Sequence, residues 1–199
     1  MRIAILGAGN VGGALGTAFR AVGHDVVFGV RDPASSKTRA ALDAAPGSTA
    51  TDPTAAVDGT DAIVFSLRWD AAEAMIADLR SLDGRVVIDA MNRFSDPLRS
   101  TTQDLADRLP AARVVKAFNT TGFENMSTAR SRSQKAAMFV AGDDPEAKRV
   151  AMDLARQIGF EPEDAGPLAN AKILEDMVKV WLVLSQVHGR RIAFAISRR

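Results

Sequence analysis

The sequence contains no cysteine and only two histidines among its 199 residues. The absence of cysteine excludes disulfides and cysteine-ligated metal sites, and no pair of histidines stands at metal-ligand spacing. Neither sign of charge is in excess, because 25 Lys and Arg residues oppose 24 Asp and Glu residues. A formal net charge of +1 provides no overall field that would attract nucleic acid or an anionic membrane. We therefore expect no nucleic-acid partner and no metal, and any anion that binds must be held locally.

The sequence also lacks an uninterrupted apolar run of about 20 residues, the length that a membrane helix requires. The small apolar residues near the start, up to Phe19, are interrupted by glycines between Gly7 and Gly16. Glycine costs about 0.8 to 1 kcal/mol relative to alanine inside a helix, so this segment is poorly suited to a signal peptide. The sequence predicts a cytoplasmic protein that does not enter a membrane.

Short β-branched runs alternate with alanine-rich helical patterns along most of the chain. The predicted strands are 2–6, 25–30, 61–67, 85–90, 113–118, 136–142 and 160–165, and the predicted helices between them are 10–22, 70–79, 100–109 and 145–158. Several strands are apolar throughout, which is typical of strands that helices cover on both faces of a parallel sheet. We expect an α/β fold of the doubly wound Rossmann type, with a mostly parallel sheet. Segment 32–60 predicts loops around one helix and one short strand.

The last part of the chain predicts a C-terminal helical extension, residues 166–199, attached to a nucleotide-binding domain of residues 1–165. Helical periodicity runs from 168 to about 196, with a break at Gly189. The apolar residues on this helix predict that it is buried: Ile173, Leu174, Met177, Val178, Val180, Trp181, Leu182, Val183, Leu184 and Val187. They exceed what is needed to cover a sheet, so we also expect a homodimer contact.

The motif GAGNVG, residues 7–12, follows the first predicted strand and opens the first predicted helix. In a dinucleotide-binding turn, Gly7 permits the tight bend, Gly9 lets the backbone approach a pyrophosphate, and Gly12 allows close packing of helix on strand. Asn10 and Val11 supply amides of the helix N-terminus, where the anion binds. We interpret the motif as a dinucleotide site rather than a merely structural glycine turn.

The end of the second strand indicates which dinucleotide binds. NAD enzymes usually place an acidic residue there to bind the ribose hydroxyls, but this position is Val30. Arg31, Ser35 and Lys37 follow, together with Ser36, and these side chains can neutralise and hydrogen-bond a ribose phosphate. The sequence therefore favours NADP, unless Asp32 pairs with Arg31 and leaves an ordinary solvated loop.

In open parallel sheets the ligand lies beyond the carboxyl ends of the strands. The residues at these ends are Ser66, Leu67, Asn92, Asn119 and Thr120, and we expect them to contact the cofactor's ribose, pyrophosphate or carboxamide. An alternative is that the two asparagines only cap turns. Trp69 forms either a wall against a ring or part of the core.

Three further motifs carry a family resemblance that spans nearly the whole chain: VVFGVRDP (26–33), RVVKAFNTTGFENM (113–126) and the block 141–175. In these motifs the chain resembles the NADP oxidoreductases that exchange a hydride with the deazaflavin coenzyme F-420. It is also similar to the soluble oxidoreductase domain of the six-transmembrane metalloreductases, which passes electrons from NADPH to a flavin. The resemblance implies NADP as cofactor and F-420 or a flavin (FMN or FAD) as the second substrate.

The resemblance also assigns residues in the last third of the chain. It implies that the turn with Pro167 and Leu168 lies over the nicotinamide and shapes the acceptor site. A set of cations, Arg93, Arg130, Arg132 and Lys135, provides either a site for an anionic coenzyme tail or only a solvated loop. The chain departs from the family at Val30, where serine is common, and at Lys172, where close relatives often have arginine.

No residue is expected to act as a catalytic acid or base, because hydride transfer between two cofactors requires only their close, stacked placement. His24 and His188 are not predicted to be catalytic. One alternative enzyme is a dehydrogenase or imine reductase of a small metabolite that uses Lys172 as acid and base. A second alternative is a protein that senses NADPH and regulates a partner without turnover.

Overall fold

The computed structural model describes residues 1–79, 81–129 and 135–197. Its strands are β1 (Arg2–Leu6), β2 (Asp25–Gly29), β3 (Thr49–Thr51), β4 (Ala62–Phe65), β5 (Val86–Asp89), β6 (Arg113–Lys116), β7 (Ala137–Gly142) and β8 (Glu161–Asp164). Its helices are α1 (Asn10–Ala21), α2 (Ser36–Ala44), α3 (Pro53–Val57), α4 (Trp69–Asp78), α5 (Thr101–Arg108), α6 (Pro145–Gln157) and α7 (Ala171–His188). Short 3-10 helices cover Phe123–Asn125 and Leu168–Asn170.

The strands form one sheet in the order β3-β2-β1-β4-β5-β6-β7-β8. The pairs from β3 to β6 are parallel, β7 runs antiparallel to β6, and β8 is parallel to β7. The chain order reverses between β1 and β4, which creates the crevice where doubly wound sheets bind dinucleotides. The predicted mostly parallel Rossmann-type fold is confirmed, including the extension of the sheet by the last two strands.

Alternate residues of each central strand enter different apolar cores, because neighbouring side chains point to opposite faces of a sheet. Ile3 and Ile5 lie in one core with Phe19 and Phe28, whereas Ala4 and Leu6 lie in the other. All six residues are fully buried. The continuous apolar runs in the sequence are thereby explained, since both faces of the sheet are covered.

The structure corrects two predictions of secondary structure. Segment 32–60 contains a second helix, α3, which Pro53 begins and the Asp52 side chain caps by accepting a hydrogen bond from the Ala55 amide at 3.0 Å. The C-terminal helix ends at His188 rather than at 196. Gly189, the predicted break, adopts φ 78°, a left-handed conformation that glycine takes without strain and that ends the helix. The Phe194 carbonyl then accepts the Ala137 amide beside β7.

The expectation that α7 is buried is correct for only one of its faces. Leu174, Val178 and Trp181 are buried, as are Ala171, Glu175 and Ser185. The other face is apolar and exposed to solvent, and it comprises Ile173, Val180, Val183, Leu184 and Val187. We call these five residues the exposed face of α7. Periodicity alone did not distinguish the two sides, since both carry aliphatic residues.

Candidate functional site

The glycine motif forms a tight turn between β1 and α1. Gly7 has a φ of 104°, a conformation that L side chains rarely adopt, and its amide donates to the Gly29 carbonyl at 3.0 Å. Helix α1 begins immediately afterwards with Asn10 and Val11, which are exposed and partly exposed. The N-terminal amides of a 12-residue helix therefore face the crevice, as anion binding requires.

The spaces around the other two motif glycines differ. A Cβ atom on Gly9 would meet nothing within 4 Å, which leaves open room next to the backbone. A Cβ atom on Gly12 would lie 2.1 Å from the Gly7 carbonyl oxygen and 2.6 Å from Ser66 Oγ. The turn thus has the open backbone and the close helix contact that a pyrophosphate-binding loop needs.

The cations predicted to read a ribose phosphate lie together beyond β2. The Arg31 and Lys37 side chains are exposed, and neither forms an ion pair or hydrogen bond within the described part of the chain. Asp32 instead accepts the Ala34 amide at 2.9 Å, so the alternative Arg31–Asp32 pair does not form. Ser35 caps α2, its Oγ accepting the Thr38 amide at 3.2 Å, so this residue also has a structural role.

Ser66 and Leu67 follow β4 and lie next to the glycine turn. Ser66 Oγ lies 3.0 Å from the Leu6 carbonyl oxygen and 3.1 Å from that of Gly7, and it donates to them. Leu67 Cδ2 lies 2.7 Å from where a Cβ on Gly7 would stand. These two residues border the crevice, and the Ser66 hydroxyl holds the turn in place.

Asn92 follows β5, Asn119 and Thr120 follow β6, and the structure brings the two asparagines together. Asn119 Nδ2 donates to Asn92 Oδ1 at 3.0 Å and to the Leu174 carbonyl of α7 at 3.1 Å. Asn119 Oδ1 and Thr120 Oγ1 are buried and have no hydrogen-bond partner among the described residues. Unsatisfied buried oxygens are uncommon in proteins, so these two atoms are candidate partners for a polar ligand.

The backbone immediately before Asn119 is strained. Phe118 is fully buried and has a φ of 60°, the only positive φ outside glycine in the described chain. Such a conformation costs about 1 to 3 kcal/mol and is concentrated at functional sites. The strained residue directly precedes Asn119, whose side chain contacts Asn92.

The turn with Pro167 and Leu168 follows β8 and lies beside the end of β7. Its 3-10 helix contacts β6, β7 and α5, and the Leu168 amide donates to Asp143 Oδ1 at 2.9 Å. Leu168 packs on the apolar core that also holds Leu67 and Trp69. Pro167 is exposed. Because β7 runs antiparallel to β6 and β8 runs parallel to β7, this turn lies level with the start of β6, towards the opposite end of that strand from Asn119. The predicted place of Pro167 and Leu168 over the nicotinamide is therefore not supported by the strand register.

Two of the predicted anion-binding cations are engaged in ion pairs, and two lie outside the described residues. Arg93 pairs with Asp96 at 3.2 Å and Asp104 at 2.7 Å, and it stacks 5.1 Å from the centre of the Trp69 ring. Lys135 is exposed, with Glu161 at 3.8 Å. Arg130 and Arg132 fall in the segment that the structure does not describe. Arg108 also stacks on Trp69, 5.0 Å from the ring centre, and Trp69 stays partly exposed.

The alternative catalytic residues are also engaged. Lys172 Nζ lies 2.6 Å from Asp176 Oδ1, and its side chain is only 13% exposed. His24 lies at the opposite, amino-terminal end of β2, where its Nε2 is 2.6 Å from Gln157 Oε1. Burial is the main reason why the pKa of His24 is lowered. His24 therefore joins the start of β2 to α6, which is a buried structural role.

A group of buried charges lies beneath the Asn92–Asn119 pair, and the sequence did not predict it. Lys116 Nζ donates to Asp89 Oδ2 at 3.0 Å and to Glu175 Oε1 at 2.8 Å. Thr101 and Thr102, at the start of α5, donate to Asp89 Oδ2 at 2.5 and 2.7 Å. All five residues are fully buried, and we call them the buried ion cluster. Asp89 and Lys116 stand opposite each other in the β5–β6 register. One charged residue inside each of two apolar strands is a sequence signal that could have predicted this pair.

Two classes of feature are not found in the described part of the chain. None of its helices combines the length and the apolar character that crossing a bilayer requires. Among residues 1–79, 81–129 and 135–197, no group of acidic and histidine side chains is arranged to hold a metal ion. The cytoplasmic location expected from the sequence stays a prediction.

Comparison with known proteins shows which families the chain resembles. Residues 2–93 match the model of the family described as NADP oxidoreductase, coenzyme F420-dependent, and this range contains the glycine turn, Arg31 and Asn92. A solved structure of a candidate F420-dependent NADP-reductase from Arthrobacter sp. FB24 superposes with a TM-score of 0.88 at 26% identity, covering 98% of this chain and 99% of that one. Over these ranges the chain is similar to NADP-dependent oxidoreductases. The resemblance that its motifs carry is confirmed.

The other expected resemblance is also confirmed. The chain is 29% identical over 178 residues to metalloreductase STEAP3 of Rattus norvegicus, covering 87% of this chain and 36% of that protein. It therefore spans about a third of that relative's length. A reductive aminase from Aspergillus terreus, solved with NADPH4, cyclohexanone and allyl amine, superposes with a TM-score of 0.72 at 19% identity, over 94% of this chain and 62% of that one. That likeness concerns the fold alone.

Proposed function

We propose that this oxidoreductase transfers a hydride between NADPH and a deazaflavin (F-420) or flavin coenzyme. The observation that carries the proposal is the unpaired Arg31 beyond β2, on the adenosine side of a glycine turn whose helix amides are open to an anion. Arg31 and Lys37 would bind the ribose phosphate, and the amides of α1 would bind the diphosphate. The dinucleotide then extends across the crevice towards Asn92 and Asn119.

The residues at the nicotinamide end bind and orient rather than react. Asn119 Oδ1 would accept a hydrogen bond from the carboxamide or ribose, and Thr120 Oγ1 would accept or donate one. The two coenzymes supply the hydride chemistry, because the electronics of the transfer reside in their rings. The chain supplies close placement, and no side chain is required as acid or base.

Turnover tests the proposal. Absorbance of NADPH is followed with F-420, then with FMN or FAD, and then with a panel of ketones and imines. We expect oxidation of NADPH with F-420 or a flavin and none with the carbonyl panel. Activity restricted to ketones or imines would favour a metabolite dehydrogenase or imine reductase, and its loss in Lys172→Ala would assign the role to that lysine. Tight NADPH binding without turnover of any acceptor would favour a sensor.

Arg31→Ala is expected to weaken NADPH binding about tenfold or more and to leave NADH binding within about twofold, because a charge-assisted phosphate contact is lost. Kd values for both nucleotides, measured by titration calorimetry, check this. The control is Arg149→Ala on α6, which removes an exposed arginine paired with Glu146 and Asp153. An equal loss of affinity for NADH and NADPH in Arg31→Ala would show that Arg31 does not recognise the ribose phosphate.

We also propose that residues 166–199 act as a segment that covers the active site of a Rossmann domain of residues 1–165 and forms a homodimer. The exposed face of α7 supports the dimer, since Val183 is 64% and Val187 75% exposed on a helix 18 residues long. A contiguous apolar helix face of this kind typically marks an interface. Two copies packed about a twofold axis would bury the same face on both.

The mass in solution tests the dimer. Light scattering of the purified chain is expected to give twice the mass of one chain, and the double variant Val183→Lys with Val187→Lys is expected to give the monomer mass. Desolvating four lysines across a twofold interface would cost more than the lost apolar contact alone. Leu98→Lys, at an 82% exposed aliphatic residue outside the exposed face of α7, should leave the dimer intact. A monomeric unaltered chain would refute this part of the proposal.

A further inference from the structure

The backbone before Asn92 is held by the buried ion cluster. Asp89 Oδ1 accepts the Met91 amide at 2.8 Å, and the Met91 carbonyl accepts a hydrogen bond from Lys116 Nζ at 2.6 Å. Both backbone groups of Met91 are therefore fixed by charged side chains. Hydrogen bonds to charged partners are roughly twice as strong as neutral ones. The position of Asn92 at the mouth of the crevice depends on these contacts.

Glu175 extends the same cluster to α7 and to the other side of Asn92. Its Oε1 accepts the Thr101 amide at 2.8 Å in addition to Lys116 Nζ, and its Oε2 accepts the Arg93 amide at 3.4 Å. The residue before it, Leu174, offers the carbonyl that binds Asn119 Nδ2. A single side chain thus connects α7 to α5, to β6 and to the loop that carries Asn92.

The cluster is not explained by stability alone. Three fully buried ionised groups are costly to desolvate, and apolar residues of similar volume often stabilise a core equally well or better. The partners of the Glu175 carboxylate include two backbone amides and an ammonium group, all of which are donors. An acceptor-only ion surrounded by donors from three elements specifies one arrangement of those elements.

We propose that Glu175 is a positioning residue for the nicotinamide half of the cofactor. It docks α7 and fixes the loop around Asn92, so that Asn92 and Asn119 are held ready for the nicotinamide riboside. This inference rests on the proposed function, because it requires NADP in the crevice. It assigns no contact between Glu175 and the cofactor, and none to the adenosine half, which lies on the β2 side of the sheet.

Glu175→Gln tests the proposal with two ligands that share the adenosine half. A glutamine has one carbonyl oxygen, so its NH2 group must face a donor, either the Arg93 amide or the Lys116–Thr101 side. We expect the Kd for NADPH to rise about tenfold, and the Kd for 2′,5′-ADP, which has no nicotinamide, to stay within about twofold. The fluorescence of bound NADPH, which reports the surroundings of the dihydronicotinamide, should also change. Glu146→Gln, an exposed glutamate on α6, is the matched control and should change neither ligand.

The outcomes separate this inference from the proposed function. If the unaltered chain binds no 2′,5′-ADP, the NADP site is wrong and this inference fails with it. If 2′,5′-ADP binds the unaltered chain but Glu175→Gln weakens both ligands equally or neither, the NADP site stands and the positioning role is refuted. Should Glu175→Gln not fold, Thr101→Val removes the hydroxyl next to Glu175 Oε1 and must give the same split, with Thr101→Ser restoring NADPH binding.

Discussion

Gly12→Ala is expected to abolish measurable NADPH binding, with the Kd raised at least about a hundredfold. The added Cβ would lie 2.1 Å from the Gly7 carbonyl oxygen, and a backbone atom cannot move aside as the end of a flexible side chain can. Either α1 shifts away from β1 or the turn opens, and both changes remove amides from the diphosphate position. Overpacking of this kind also costs about 1 to 3 kcal/mol in the free energy of unfolding.

Gly13→Ala is the matched control for this prediction. It is the same substitution one residue later in α1, where the new Cβ would meet only Ala41 Cβ at 3.7 Å. Alanine is favoured over glycine in a helix by about 0.8 to 1 kcal/mol, so this variant should be slightly more stable and bind NADPH normally. Calorimetry and urea unfolding of both variants check the contrast. Normal NADPH affinity in Gly12→Ala would show that the turn does not hold the diphosphate.

Lys116→Met is expected to lower the free energy of unfolding by about 3 to 5 kcal/mol, because it leaves two carboxylates buried without a cation. Lys116 and both of its acidic partners are fully buried. Most domains have only about 5 to 15 kcal/mol of stability in total, so the loss should clearly lower the urea concentration at the midpoint of unfolding. The same change at Lys135, which is 61% exposed, should cost at most about 1 kcal/mol.

A combined variant makes this prediction sharper. The triple variant, Asp89→Asn with Lys116→Met and Glu175→Gln, removes all three charges together, so no buried ion is left unpaired. We expect this variant to recover part of the stability that Lys116→Met alone loses. A loss in Lys116→Met no greater than in Lys135→Met would mean that the cluster is accessible to water and does not act as a buried unit.

The sheet and the glycine turn could be predicted from the sequence because their signals are local. Apolar strands, alanine-rich helices and the spacing of Gly7, Gly9 and Gly12 each lie within a few consecutive residues. Which side of α7 faces the sheet is decided by packing. The sequence did not predict that side, because leucines and valines occur on both sides of the helix. The end of this helix at Gly189 was visible as a break, but the extended chain after it was not.

The buried ion cluster was missed because its members are distant in sequence. Lys116 lies 27 residues from Asp89 and 59 from Glu175, so only the pairing of β5 with β6 and the docking of α7 bring them together. The asparagine pair is similar, since each residue was predicted at the end of its strand but not in contact with the other. Ser66 stays a predicted ligand contact, and the hydrogen bond from its hydroxyl to the glycine turn was not predicted.

Titration of the unaltered chain with NADPH and with NADH tests the account most directly. The open amides at the start of α1 and the unpaired Arg31 predict that both nucleotides bind at one site and that NADPH binds at least about tenfold more tightly. Equal affinity for the two nucleotides, or no binding of either, would contradict the account.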